Sequence, residues 1–126
     1  MKIVALLLPA VLFAGAPTGG VIRRAPAGFA DRRNPFEGDE RARRAGQKLF
    51  ASECAGCHGV NGAGSRRAPA LNRGEVRDAQ PGALFWVLRN GSLWRGMPSF
   101  AHLPEARRWQ IIVYLKSLDA QGQKSP

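Results

Sequence analysis

The sequence predicts an all-α domain, and three observations support this fold class. Apolar residues recur at the spacing of an amphipathic helix in three stretches, no stretch alternates in the manner of a half-buried strand, and glycines and prolines cluster between the helical stretches. The chain has 126 residues, which is enough for one domain with a thin core. Long glycine-rich loops in so small a protein favour a staple, a metal or a cofactor that the core can pack against.

The first predicted helix begins near Asp39. Its apolar face consists of Ala42, Ala45, Gly46, Leu49 and Phe50. Because a glycine inside a helix lowers its stability, Gly46 indicates that another helix crosses this face at very close range.

Two further helices are predicted downstream. The second runs from Pro81 to Asn90, with the proline suited to the first turn and Gly91 suited to the stop. The last opens at Pro104–Glu105 and extends to about Leu118. The three helices are separated by long loops rich in glycine, so the predicted architecture is three or more helices joined by such loops.

Residues 1–16 have the pattern of an export signal. Lys2 precedes an apolar run from residue 3 to residue 14, and the small residues 14–16 fit a cleavage site. Pro17 is a poor residue after a scissile bond, so an uncleaved anchor is the alternative. Either interpretation predicts a periplasmic or otherwise exported domain, possibly attached to a membrane.

The remaining sequence divides into three predicted parts. Residues 17–38 mix Gly, Pro, Ala and Arg without periodicity, which predicts a flexible tether. Residues 39–120 carry the helical patterns and form the predicted domain, and residues 121–126 form a predicted disordered tail.

The chain is strongly basic, with 19 Lys and Arg against 9 Asp and Glu and a formal net charge of +10. This sign suits a partner with an acidic surface, or a membrane surface. No run of five like charges and no alternation of aromatic and basic residues occurs, so the sequence does not predict nucleic-acid binding.

The two cysteines of the chain, Cys54 and Cys57, are followed directly by His58. A redox disulfide of this spacing normally lies at a strand-to-helix turn, and no strand is predicted here. A structural zinc site needs four ligands, and His102 is too far along the chain for finger spacing. The spacing C-x-x-C-H is typical of c-type haem attachment, in which two thiols bond to the haem and the histidine binds the iron.

The other face of such a haem needs a second ligand. Met97 is the only methionine beyond the initiator, and it lies in a Gly-Met-Pro loop instead of on an apolar helix face. We expect its thioether to bind the iron, with the imidazole of His102 as the alternative.

Together these residues resemble the class I monohaem cytochromes c, and the small bacterial domains of that class most closely. The resemblance spans roughly residues 39–119 and rests on four stretches, namely Gly46–His58, Ala68–Leu71, Gly96–Phe100 and Ile112–Leu118. It implies the cytochrome c fold, in which helices and loops wrap around one covalently attached haem c per chain.

The resemblance also implies roles for individual residues. Gly46 and Phe50 match first-helix residues of the family, and Tyr114 matches the aromatic residue of the last helix that crosses over that glycine. Pro69 matches the proline whose carbonyl accepts a hydrogen bond from the proximal histidine, and Leu71 matches an apolar wall of the haem.

The cofactor-binding residues implied in this way are Cys54, Cys57, His58, Pro69, Leu71 and Met97, with His58 and Met97 as metal ligands. Trp94 is expected either to reach a haem propionate or to pack in the interior, whereas Trp86 and Trp109 are expected in the core or an interface.

These features predict an electron-transfer protein, not an enzyme. Its partners are expected to be redox proteins with acidic docking surfaces, and Arg66, Arg67 and Arg95 flank the two haem loops as candidates for the docking rim. One alternative is a haem relay subunit of a larger dehydrogenase or terminal oxidase. The other is a catalytic or sensory haem at which a small ligand displaces Met97.

Overall fold

The computed structural model describes residues 20–118, so the predicted signal (1–16), the residues up to 19 and the predicted tail (121–126) lie outside the described part. The prediction of an all-α fold is confirmed, since the described residues form six α-helices and two 3₁₀ turns. In chain order the helices are α1 (Ala27–Ala30), α2 (Glu40–Glu53), α3 (Ala55–His58), α4 (Gly74–Asp78), α5 (Pro81–Asn90) and α6 (Glu105–Lys116). None of the helices between residues 20 and 118 combines the length and apolar character of a membrane span.

Helix α2 begins where the sequence predicts. Asp39 is its N-cap, and the Oδ1 atom of this residue accepts hydrogen bonds from the backbone N–H groups of Arg41 (2.8 Å) and Ala42 (3.1 Å). These bonds satisfy two amides that the helix itself leaves without acceptors. Cys54 ends the helix and at the same time precedes α3, so the thiol pair starts at the end of a well-anchored helix.

The core is built around the crossing of α2 and α6. A Cβ atom added to Gly46 would lie 1.9 Å from the carbonyl oxygen of Gln110, so the two backbones touch at this point. One turn further along α2, the Phe50 ring packs against the Tyr114 ring with a centroid distance of 5.3 Å. The close crossing indicated by Gly46 is therefore confirmed, with Gln110 as the α6 residue at the glycine and Tyr114 in contact with Phe50 one turn further along.

Helix α5 has the bounds that the sequence predicts, with Pro81 in its first turn and Gly91 after its end at φ 68°. Helix α6 follows Pro104 as predicted and ends at Lys116, two residues before the predicted end. Leu118 is nevertheless buried, so the apolar pattern that extended the prediction reflects packing beyond the helix end.

Residues 20–38, which we call the N-terminal arm, differ from the expected flexible tether. The arm contains a 3₁₀ turn (Ile22–Arg24) and α1, and it packs on α5, where a Cβ at Gly82 would lie 1.9 Å from the carbonyl oxygen of Phe29. The buried Asn34 amide donates a hydrogen bond of 2.9 Å to the carbonyl oxygen of Trp109. The tether prediction is thus corrected for these residues.

The physical reason is the way in which the arm is held. Its contacts are single anchors instead of a continuous apolar stripe, so no periodicity marks the segment in the sequence. One such anchor is Arg32, whose guanidinium carbon lies 4.6 Å from the ring centroid of Phe85 and 5.4 Å from that of Trp109. Both ring contacts are within the range of cation–π attraction.

Candidate haem-binding site

The Cys54–His58 stretch forms one compact helical turn. The backbone N–H of His58 donates to the carbonyl oxygen of Cys54 (3.0 Å), which brings both cysteines and the histidine together within a single turn. Cys54 is buried, Cys57 is half-buried, and both are free thiols. Burial, with smaller contributions from the nearby Glu53 carboxylate and from Cys57, raises the pKa of Cys54 to about 12. Cys54 is therefore a protonated thiol at neutral pH, whereas thiol–disulfide exchange requires a thiolate.

The imidazole of His58 is oriented by a hydrogen bond to the loop that follows it. Its Nδ1 atom lies 2.8 Å from the carbonyl oxygen of Pro69. Because a carbonyl only accepts, Nδ1 carries the proton and Nε2 keeps a free lone pair. The contact implied by the resemblance is present, and it leaves His58 in the tautomer that a metal ligand needs.

Glycines fold the loop between His58 and Leu71 back on itself. Gly62 (φ 68°) and Gly64 (φ 89°) adopt left-handed conformations that other residues rarely take. The carbonyl oxygen of Gly62 accepts a hydrogen bond of 2.7 Å from the N–H of Leu71, and the N–H of Gly64 donates one of 2.8 Å to the carbonyl oxygen of His58. This fold is what carries Pro69 to the imidazole.

A cavity of about 580 Å³ opens beside this turn. All six predicted cofactor-binding residues line it, namely Cys54, Cys57, His58, Pro69, Leu71 and Met97. Helices α5 and α6 and the segment between them supply much of the apolar wall, through Leu84, Val87, Leu88, Phe100, Ile111 and Leu115. The structure therefore brings together residues that are spread from Cys54 to Leu115 along the chain.

Met97 and His102 occupy different environments. Met97 is half-buried and lines the cavity, on a loop closed by reciprocal backbone hydrogen bonds with Ser92. His102 is exposed and is not part of the cavity lining; its ring centroid lies 6.1 Å from that of Phe100. Of the two alternatives for a second ligand, the structure brings only Met97 to the cavity.

The three tryptophans differ in how far they are buried, and Trp94 is not packed in the interior. Trp109 is buried and stacks on Phe85 with a centroid distance of 4.1 Å, as expected for a core residue, and Trp86 is half-buried. Trp94 is 77% exposed and is absent from the cavity lining, so it is not packed in the interior. The guanidinium of Arg95 lies 4.9 Å from its ring centroid.

The three arginines proposed for a docking rim are all exposed, and two of them, Arg67 and Arg95, line the cavity. Arg66 is exposed but is not part of the lining.

Sequence reasoning missed one side of the cavity. Val21 and Ile22 of the N-terminal arm line it, together with Glu75 and Val76 of α4. Arg23 pairs with Glu75 at 3.6 Å and so links the arm to α4. The one available signal was the pair of apolar residues at 21–22, which lies in a stretch of otherwise small and basic residues. A search for helical periodicity does not detect an isolated pair of this kind.

The residues present fit a haem. The cavity volume is in the range of cofactor sites, which are commonly a few hundred to about a thousand Å³. Its wall is mainly apolar, and it presents two thiols, one imidazole with a free Nε2 and one thioether. These donors on an all-α fold define a c-type cytochrome domain.

Residues 41–115 match the sequence model of a family described as cytochrome c oxidase, cbb3-type, subunit III. This match covers more than half of the 126 residues, so the chain belongs to that family.

Two solved structures are similar to the chain. Cytochrome cL from the marine methylotrophic bacterium Methylophaga aminisulfidivorans MPT has a TM-score of 0.56 and 26% identity, over 66% of this chain and 59% of that chain. Cytochrome cL from Hyphomicrobium denitrificans has a TM-score of 0.57 and 19% identity, over 79% and 67% of the respective chains, which shows a shared fold. A comparison with curated protein sequences finds no match.

The chain thus spans about 59% of the first of these cytochromes. The family supports haem-based electron transfer as the chemistry of the domain and implies covalently bound haem c.

Proposed function

We propose that the chain is a one-electron carrier that holds one covalently attached haem c through thioether bonds to Cys54 and Cys57. His58, through Nε2, and Met97, through its sulfur, are the proposed axial ligands of the iron. The carrier works in an exported respiratory or dehydrogenase chain. The observation that carries this proposal is that His58, at the end of α3, and Met97, on the loop after α5, line the same apolar cavity as both thiols.

When bound, the haem iron supplies reversible exchange of a single electron between Fe(III) and Fe(II). The residues of the chain contribute orientation and environment. The bond between His58 and Pro69 fixes the imidazole in one direction, so the ligand does not need to reorient when the charge on the site changes. The Ser92–Met97 bridge holds the backbone of the loop from which the Met97 thioether would bind the iron.

The apolar wall of α5 and α6 would shield that side of a bound haem from water. A low dielectric disfavours the more highly charged oxidised state, and a thioether ligand acts in the same direction, so both features raise the reduction potential. Because His58 and Met97 would both bind the iron, oxygen or peroxide would have to displace one of them. This supports a carrier in preference to a catalytic or sensory haem.

The proposed partners are redox proteins with acidic surfaces. The chain carries a formal net charge of +10, and the exposed Arg66, Arg67 and Arg95 lie on the loops that flank the cavity. Such a surface accelerates encounter with an acidic partner, and the acceleration decreases as salt is added.

A second candidate function is a haem relay subunit within a larger oxidoreductase. The description of the matched family as a subunit of a cbb3-type oxidase favours it. A free carrier predicts a monomer whose turnover with its partner is sensitive to salt, whereas a relay subunit predicts co-purification with a larger enzyme from the native membrane or periplasm.

The proposal is tested first by attachment and by the spectrum. The denatured polypeptide should keep haem peroxidase staining on a gel, and the double variant Cys54→Ser, Cys57→Ser should lose it. The mass of the mature chain should exceed that of its amino acids by one haem, and it will also report whether residues 1–16 are removed. A colourless exported protein of polypeptide mass alone contradicts the proposal.

The ligand assignment needs its own variants. The oxidised protein should show the weak sulfur-to-iron absorption band in the far red, and Met97→Ala should remove it. His102→Ala is the matched control and should leave the band in place, because His102 lies outside the cavity. A band that persists in Met97→Ala excludes Met97 as the ligand.

A further inference from the structure

The loop that carries Met97 also carries an exposed apolar feature on its outer side. Residues 92–97, which we call the Trp94 turn, include a 3₁₀ turn from Leu93 to Arg95. Leu93 is 71% exposed and Trp94 is 77% exposed. Among the described residues, the exposed large hydrophobics are these two and Val60. Two adjacent large apolar side chains in solvent are characteristic of an interaction site, whereas a single one is ordinary.

The Trp94 turn is held rigidly by its own backbone. Ser92 and Met97 exchange two hydrogen bonds, of 3.0 Å and 3.1 Å, and Gly96 closes the turn in a left-handed conformation. Inside this ring, the N–H of Arg95 donates to the carbonyl oxygen of Ser92 (2.9 Å) and the N–H of Gly96 donates to that of Leu93 (3.0 Å). The backbone at Trp94 is therefore fixed relative to that of Met97, and little backbone freedom is lost when a partner covers the turn.

Arg95 orders the indole and adds charge beside it. Its guanidinium lies 4.9 Å from the centroid of the Trp94 ring, within the range of cation–π attraction. Arg95 also lines the cavity, as do the exposed Arg67 and Arg73. Two carboxylates, Glu53 and Glu75, line the cavity as well, so the charged residues around its mouth are basic on balance.

We propose that the Trp94 turn is the apolar anchor of the docking surface, and that its occupant is a redox protein with an apolar recess surrounded by carboxylates. This inference rests on the proposed carrier function. Trp and Arg are the residues most enriched among those that dominate binding energy in protein interfaces, and such anchors insert into pockets of the partner. The carboxylates of the partner pair with Arg95, Arg67 and Arg73, while its recess takes the indole.

A protein fits this surface better than a lipid bilayer does. Helices that lie in a bilayer interface bury a long apolar face, whereas the Trp94 turn offers two apolar side chains on one short turn. The turn lies next to the cavity that holds both proposed iron ligands, so a partner seated on it approaches the site of electron exchange.

The test uses the haem-loaded protein and two oxidants. The first is ferricyanide, a small anion that needs no apolar recess. The second is plant plastocyanin, an acidic blue-copper protein with an apolar patch beside its copper, used as the protein probe. In the second reaction one electron leaves Fe(II), which becomes Fe(III), and reduces Cu(II) to Cu(I). Calorimetry of the two oxidised proteins measures their affinity without turnover.

Trp94→Ala should reduce the second-order rate with plastocyanin, and the affinity, by about tenfold or more, and it should leave the ferricyanide rate unchanged. The dependence of the plastocyanin rate of Trp94→Ala on ionic strength should equal that of the wild type, because the substitution removes no charge. Arg95→Gln should weaken that dependence. The matched control is Val60→Ala, which removes an 80% exposed apolar side chain that is not part of the cavity lining, and it should change neither rate.

The possible failures are distinguishable. If the wild type reacts with neither oxidant, the proposed carrier function fails. If it reacts with both and Trp94→Ala is indistinguishable from Val60→Ala with plastocyanin, the docking inference is overturned. Sedimentation with phosphatidylglycerol vesicles tests a lipid occupant. If the wild type binds the vesicles, Trp94→Ala abolishes this binding and the plastocyanin rate is unchanged, the occupant is a lipid. That result also overturns the docking inference.

Discussion

The substitution Gly46→Ala tests the crossing of α2 and α6 directly, because two opposing effects are expected and their sizes differ. Alanine favours a helix over glycine by about 1 kcal/mol, so in isolation the change stabilises α2. In the folded protein the new Cβ would lie 1.9 Å from the carbonyl oxygen of Gln110. An optimal contact is roughly 3.5 Å, so the helices must separate by about 1.5 Å.

The obstacle in this case is the backbone of α6, which cannot rotate away as a side chain does. Overpacking of a core costs about 1–3 kcal/mol and occasionally more, and a backbone clash lies at the upper end. After the gain in helix propensity is subtracted, we expect Gly46→Ala to lower the free energy of unfolding by about 2 kcal/mol or more. For a domain of this size that loss corresponds to a fall in Tm of roughly 10 °C.

The assay is urea unfolding of the haem-loaded protein, followed by far-ultraviolet circular dichroism. Gly28→Ala is the matched control, because Gly28 is also helical, in α1, and a Cβ there would meet no atom within 4 Å. The control should be neutral or slightly stabilising. If Gly46→Ala unfolds at the same urea concentration as the wild type, or at a higher one, the reasoning about the crossing is refuted.

Three further predictions concern the arm and the core. Gly82→Ala should detach the N-terminal arm from α5, since its Cβ would lie 1.9 Å from the carbonyl oxygen of Phe29, and limited proteolysis should then cleave the arm faster than in the Gly28→Ala control. Asn34→Ala should lower the free energy of unfolding by about 1–3 kcal/mol in urea, because it removes a buried hydrogen bond; an unchanged midpoint contradicts that value. Burial raises the pKa of Tyr114 against the opposing charge of Arg43, so the folded state keeps this proton longer than the unfolded state, whose pKa is near 10.0. The contribution of Tyr114 to the free energy of unfolding is complete below that pH and is lost as the pH rises through the folded-state pKa. Tyr114→Phe should therefore reduce the fall of the free energy of unfolding at alkaline pH. Equal slopes of this free energy against pH for variant and wild type count against the prediction.

The parts of the fold that the sequence predicts are those determined by a periodic apolar pattern or by interactions between residues close in the chain. Helix α2 is marked by its apolar face and by the Asp39 cap, and α5 by the proline at its start and Gly91 at its end. The order Cys-x-x-Cys-His is a local constraint, because one helical turn suffices to place the three side chains together. These features depend on neighbours within a few residues, and sequence patterns record such neighbours well.

The N-terminal arm could not be predicted, because its anchors join residues that are far apart in the chain. Asn34 and Trp109 are separated by 75 positions, and neither carries a signal for the other. The same holds for Val21 and Ile22, which become part of the cavity wall only after the arm has crossed α5. Helix α4 has five residues, too few for an apolar period to repeat.

The outward position of Trp94 was also beyond the sequence. An indole two residues before Gly96 is compatible with a buried or an exposed side chain. The closure of the loop by Ser92 and Met97 decides between them, since it places Met97 at the cavity and leaves Trp94 on the outer side.

The way in which the arm lies over α5 bears on how this protein should be produced in the laboratory. A shortened gene that starts at Asp39, where the helical pattern begins, would yield a polypeptide without the two aliphatic side chains at one edge of the cofactor cleft and without the amide that holds Trp109. Purification handles are better fused ahead of Gly20, with the intervening codons retained.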